Sequence, residues 1–274
     1  MTSRTLFLLS VLALLAVTVN AQQRASAYLH TDDMPNAINY LPPPPDSTSA
    51  QFAYDMSQYY WGKSVRDTER GRIALEDASC STAHLLEIYS PFMGVRMSKE
   101  KTPAIYRMMA NALATGSKGV SRCKEYYQRV RPFQRYGEEV ASGETLRQTS
   151  YPSGHTNRGW LAALLLVEVN PAAQDAILQR GYEYGQSRVI VGAHWQSDVD
   201  AARVVASACY ARLHTDSTFL ADMAAARAEY ARLAVPVKDH ARGSRDTTIG
   251  HLDLDTEGLP EPEPRSAKES PLEP

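Results

Sequence analysis

The chain has little cysteine, almost no net charge and, past its first residues, no long apolar run. Three cysteines, at positions 80, 123 and 209, stand among 274 residues. So small and odd a number excludes a disulfide scaffold and allows one internal bridge at most, and none of the spacings matches a zinc motif. They read as small buried apolar residues. A formal net charge of −2 carries no basic excess, so nothing electrostatic points to nucleic acid or to an anionic membrane surface. The best late apolar stretch, Trp160 to Val167, is interrupted by Glu168 and stopped by Pro171. A spanning helix needs roughly 20 apolar residues, so no membrane span is expected. Strand-like alternation bounded by hairpin turns is scarce as well.

What is present is enough for one buried core: 43% of residues are hydrophobic and 22% charged. Arg4, an apolar run from Leu6 to Val19 and small residues at Val19 and Ala21 read as a secretory signal over residues 1–21. Its cleavage would leave the mature protein periplasmic or secreted. Residues 22–49 form a polar arm in which Pro42 to Pro45 must be extended. From residue 50 to 235 the apolar spacing is helical, which predicts an all-α, compact single-domain helical bundle. Helices are expected over Asp67 to Tyr89, stopped by Ser90-Pro91, and from Thr102-Pro103 to a break at Gly116 and Gly119. A separate helix then carries Lys124, and others cover Thr156 to Val169, Ala172 to Tyr184, His194 to Leu213 and Phe219 to Leu233. Residues 236–274 are acidic and proline-rich, lack apolar residues to fold with, and read as a disordered tail.

Three short stretches carry chemistry. Lys124 and Arg131 lie seven residues apart, nearly two helical turns, so both cations are expected on one stripe before Pro132. Alone, they would read as a solvated basic face, with Arg122, Arg129 and Arg135 nearby. Pro152-Ser153-Gly154-His155 precedes an apolar helical run. This sets Ser153 and Gly154 at a helix N-terminus, where free amides attract anions, and His155 at the edge of that anion site. His194 and Asp198 are four apart, so the carboxylate can hold one ring nitrogen and leave the other free to attack. Arg188 precedes a break expected at Gly192, which lets Arg188 and His194 reach one phosphate from different elements. Together the stretches supply three cations, a hydroxyl, two histidines and one carboxylate. That inventory suits covalent phosphoryl transfer through histidine. His30, His84, His214, His240 and His251 show no ligand spacing, so no metal is expected.

The motifs Lys-x6-Arg-Pro, Pro-Ser-Gly-His and Ser-Arg-x5-His-x3-Asp stand intact and in order. They resemble the signature of the phosphatidic acid phosphatase type 2 and vanadium haloperoxidase superfamily. From Tyr40 to Leu233 the chain is most similar to bacterial class A non-specific acid phosphatases, through Leu41 to Pro45, Arg72 with Ala74 to Ala78, and Gly192 to Asp198. The resemblance implies the all-α fold, export to the periplasm and metal- and cofactor-free hydrolysis of small phosphomonoesters, nucleotides included, at acidic pH. It also implies assembly into a homo-oligomer. It assigns His194 as nucleophile, His155 as acid, Asp198 as the orienting carboxylate, and Lys124, Arg131, Ser153, Gly154 and Arg188 as phosphate ligands. A vanadium-dependent haloperoxidase, an apyrase-like nucleotide phosphohydrolase, a phosphotransferase and a phosphate-binding protein without turnover stay open as alternatives.

Overall fold

A computed structural model describes residues 25–146 and 149–234. The signal expected over 1–21 and the tail expected over 236–274 lie outside the described residues. Among the described residues nine α-helices follow in chain order: α1 Ala50–Ser64, α2 Glu69–Glu76, α3 Thr82–Met93, α4 Pro103–Tyr127, α5 Pro132–Arg135, α6 Gly154–Val169, α7 Gln174–Ile190, α8 Gln196–Leu213 and α9 Ser217–Leu233. No strand occurs among the described residues, and no helix among them is long and apolar enough to cross a membrane. The all-α expectation holds.

Local chemistry explains most helix starts. Ser49, Thr68, Ser81, Ser153 and Asp216 each accept a bond from an amide three residues on, which satisfies a donor the helix cannot. Thr102 does not cap α4, although Pro103 opens the helix as expected; its hydroxyl donates to the Ser98 carbonyl. The first free amides of α4, at Ala104 and Ile105, are instead taken by the buried Glu229 carboxylate of α9, at 3.1 and 2.9 Å.

Three expected boundaries are corrected. Asp67 to Tyr89 is two helices, because the chain turns at Asp77 and Ala78 and Ser81 caps a new start; Pro91 lies inside α3, which ends at Gly94 with φ 63°. Gly116 and Gly119 do not break α4. A Cβ at Gly116 would stand 2.6 Å from Leu161 of α6, and one at Gly119 3.2 Å from Val205 of α8, so these glycines permit close helix packing. Lys124 and Arg131 do not share a helical stripe either. α4 stops at Tyr127 with Gln128 left-handed at φ 45°, and Arg131 is extended, just ahead of Pro132.

The central helix is α6, whose Leu161, Ala162, Leu165 and Leu166 are fully buried among α3, α4, α7, α8 and α9. Each such leucine contributes about 2 kcal/mol from apolar burial. The expected arm is packed rather than free in its described part: Leu29, Met34, Ala37 and Leu41 are buried, and Lys118 donates to the Leu29 carbonyl. All three cysteines are free thiols, with Cys123 and Cys209 buried as expected.

Candidate active site

The site lies where the C-terminal ends of α4 and α7 meet the N-terminal ends of α6 and α8. α7 ends at Ile190, and Gly192, at φ 78°, reverses the chain. A Cβ there would be strained by the backbone and would also stand 2.7 Å from Arg66 Nη2. The amides of Ala193 and His194 then donate to the Arg188 carbonyl, at 3.0 and 3.1 Å. This turn joins the end of α7, which carries Arg188, to the segment that carries His194, so the two come from different elements.

His194 is buried. Its Nδ1 faces Asp198 Oδ2 at 3.3 Å, and its Nε2 lies 2.9 Å from Arg131 Nη1. A carboxylate on one side and a cation on the other fix the tautomer: Nδ1 donates to Asp198, and Nε2 presents a lone pair. Burial, then the charge of Arg131, holds the imidazole well below its ordinary pKa, despite Asp198. The site thus favours the neutral form of His194.

Asp198 is held on every side. Oδ2 accepts from the Trp195 amide at 2.9 Å and from Ser150 Oγ at 2.5 Å, and Oδ1 accepts from Arg129 Nη1 at 2.7 Å. Burial alone would raise its pKa, but Arg129, His194 and Ser150 keep it well below the usual carboxylate range. Arg129 also donates to Asp55 Oδ2 at 2.7 Å, and Asp55 in turn accepts from the Ser197 amide at 2.8 Å. Its guanidinium lies over the Trp195 ring at 5.6 Å. Sequence reasoning left Arg129 on a solvated face and passed over Asp55 and Ser150. Position beside Arg131 and beside Pro-Ser-Gly-His was the only signal for Arg129 and Ser150; nothing local marks Asp55.

The other expected ligands converge from three elements. Lys124, in the last turn of α4, donates to the carbonyls of Thr149 and Ser150 at 3.1 and 3.2 Å. Burial, then Arg131, lowers its pKa to about 7. Arg131 donates to the carbonyls of Ala193 and Thr149 at 2.8 and 3.0 Å, and burial brings its pKa down to about 10. Arg188 is fully buried; its Nη2 pairs with Glu144 at 2.8 Å, while Nε and Nη1 have no partner among the described residues. A buried guanidinium with two uncommitted donors fits an anion.

At the start of α6, Ser153 Oγ accepts from the amide and hydroxyl of Thr156, at 3.2 and 2.9 Å, so its own proton can point outward. The Ser153 amide is taken by the Asp198 carbonyl at 3.0 Å and is not an anion donor. The amides of Gly154 and His155 follow in the first turn, where a helix supplies no acceptor of its own. A Cβ on Gly154 would meet only Lys124 Cε, at 4.0 Å, so this glycine opens onto the cations rather than serving helix packing. His155 Nε2 donates to the Ala78 carbonyl at 2.9 Å and faces Glu144 Oε1 at 3.3 Å. All eight residues expected from the sequence thus meet in one place.

Comparison with known proteins gives the family. The family model described as the PAP2 superfamily matches residues 104–219. A non-specific acid phosphatase of Providencia stuartii is 42% identical over 213 residues, spanning 75% of this chain and 85% of that protein. One from Salmonella typhimurium is 37% identical over 81% of this chain and 91% of its own length, and an acid phosphatase of Zymomonas mobilis is 34% identical over 78% and 81%. The chain belongs to the PAP2 superfamily. Within PAP2 its relatives are the non-specific acid phosphatases. The matched PAP2 segment runs from α4 into α9 and holds the eight expected residues with Arg129, Glu144 and Ser150. Asp55 on α1 and the Ala78 carbonyl between α2 and α3 come from outside it. Helices before the PAP2 segment therefore complete both histidine environments.

Proposed function

We propose that this chain is a secreted or periplasmic acid phosphatase that hydrolyses small phosphomonoesters through a phosphohistidine on His194. The opposite surroundings of the two histidines support this reading most strongly. His194 is kept neutral by burial and Arg131, as a nucleophile must be. For His155, burial and Arg188 push the pKa down, but Cys80 and Glu144 outweigh them and the value is raised, as suits an acid. The acid phosphatase names of relatives at up to 42% identity point the same way.

The reaction follows from the contacts. A dianionic ester enters among Lys124, Arg131, Arg188, the Ser153 hydroxyl and the amides of Gly154 and His155. Arg131 shifts its hydrogen bond from His194 Nε2 to a phosphoryl oxygen and frees the lone pair. Nε2 forms a bond to phosphorus as the bond to the leaving oxygen breaks, and Asp198 steadies the imidazolium through Nδ1–H. His155 gives the leaving alkoxide a proton. Because Nε2 of His155 already donates to Ala78 and faces Glu144, that proton comes from Nδ1. Water then attacks the phosphohistidine while His155 takes its proton, the N–P bond breaks and inorganic phosphate leaves.

Three cations and two first-turn amides supply the charge stabilisation that phosphoryl transfer needs, which is why we infer a metal-independent reaction. These donors grip the phosphoryl group, not the alcohol, so esters of different alcohols, nucleotides included, meet the same clamp. Export rests on the signal-like run before Ala21, and self-association on the family resemblance. Release of phosphate from p-nitrophenyl phosphate at mildly acidic pH with EDTA present tests the proposal, with His194→Ala as control. Activity that persists in EDTA and vanishes in the variant is expected. An inactive folded parent, or one that EDTA silences, would contradict it.

A further inference from the structure

Glu144 stands outside the three motifs, yet its carboxylate touches the acid and the clamp at once. It follows a turn in which Gly143, at φ 68°, donates its amide to the Val140 carbonyl, while the Ala141 amide donates to the Val191 carbonyl beside the catalytic turn. The loop is thus tied to the backbone next to Gly192, and Glu144 is delivered into the site. Oε2 accepts from Arg188 Nη2 at 2.8 Å and from the Ser142 hydroxyl, and Oε1 lies 3.3 Å from His155 Nε2. The carboxyl is half-buried, and no other carboxylate pairs with either partner among the described residues.

We propose that Glu144 is the positioning residue that couples the proton donor to the phosphate clamp, one oxygen holding His155 and the other Arg188. This inference rests on the phosphatase reading above. His155 is faced by Glu144 from this loop, by Arg188 from α7 and by Cys80 from the turn before α3. Arg188 opposes protonation of His155; Glu144 favours it, and with Ala78 it fixes the ring so that Nε2 keeps its hydrogen. Nδ1 is then the nitrogen that gives up and regains the proton in each turnover. The same carboxylate partners the buried Arg188 charge, which would otherwise lack a counter-ion. Glu144 itself stays ionised under acid conditions. Burial would raise its pKa, but His155, Arg188 and Ser142 bring it down to about 2.

The test compares Glu144→Gln with the wild-type chain on p-nitrophenyl phosphate, whose leaving group needs no proton, and on a simple alkyl phosphate, whose leaving group does. The alkaline limb of kcat/KM is expected to move to lower pH by about one unit in the variant, with alkyl phosphate turnover falling about 10- to 100-fold. On p-nitrophenyl phosphate, which shares the loosened Arg188 but needs no proton on its leaving group, kcat/KM should fall about tenfold less than on the alkyl phosphate. Glu144→Asp, which keeps the charge, should restore the limb in part. Equal losses on both esters with an unmoved limb would overturn the proposal and leave Glu144 structural. Nitrogen-15 NMR of the histidines in the wild-type chain tests it without a variant: neutral His155 should carry its hydrogen on Nε2, and a hydrogen on Nδ1 would overturn it. A wild-type chain that hydrolyses neither ester would instead refute the phosphatase reading itself.

Discussion

His155 and His194 share one candidate site but lie in opposite electrical surroundings, and in the proposed mechanism the difference divides their labour. His194 is fully enclosed, with Arg131 against one nitrogen and a carboxylate on the other that is itself neutralised by Arg129. His155 lies at the more open edge, with the Glu144 carboxylate and the Ala78 carbonyl on Nε2. Cations dominate around the first, acceptors around the second. A neutral nucleophile and a protonated acid can therefore coexist at one pH, although both are histidines with the same reference pKa.

The strongest way to break this comparison is to remove one member. His194→Ala is expected to lower kcat/KM by about 10⁵-fold on every ester, because no bond to phosphorus can form. Steady-state rates on two esters with a circular dichroism control check it. His155→Ala should behave differently: a loss in kcat/KM of about 10²- to 10⁴-fold on alkyl phosphates, but much less on p-nitrophenyl phosphate, because kcat/KM excludes the later hydrolysis step that His155 also serves. Equal losses on both would mean that His155 is not the acid.

The support behind the nucleophile can be broken separately. Arg129→Ala leaves Asp55 and Asp198 buried without their shared cation, so unfolding free energy should fall by about 3–5 kcal/mol, read by urea denaturation. The smallest effect sharpens the alkaline side. Lys124, with its pKa lowered to about 7, loses its charge as pH rises through that value, so phosphate binding in the free enzyme weakens above it. Lys124 and His155 both lose charge on this alkaline side, and the variants at Lys124 and Glu144 separate their contributions. Lys124→Arg should extend the kcat/KM profile to higher pH; an unmoved profile would assign the decline to His155 instead.

The motifs that meet in the candidate site were legible because each residue type has a chemical reason to stand at that spacing, and Gly192 marked the turn that joins Arg188 to His194. Helix boundaries were less so. Gly116 and Gly119 look like breaks until Leu161 and Val205 are seen against them, a tertiary fact with no local signal. Arg131 stands on an extended residue rather than on the Lys124 helix, so the two meet by a geometry other than the expected helical stripe. Asp55 was illegible for the same kind of reason: it lies 74 residues from Arg129 in the chain and meets it only when α1 packs on α8.

The central claim is that His194, not His155, carries the phosphate. Rapid quench of wild-type enzyme turning over a phosphomonoester, under alkaline conditions that preserve phosphohistidine, followed by peptide mass spectrometry, tests it directly. The account predicts phosphate on the peptide containing His194, and none there in His194→Ala. Phosphate on His155, or turnover with no phosphoenzyme at any quench time, would contradict it.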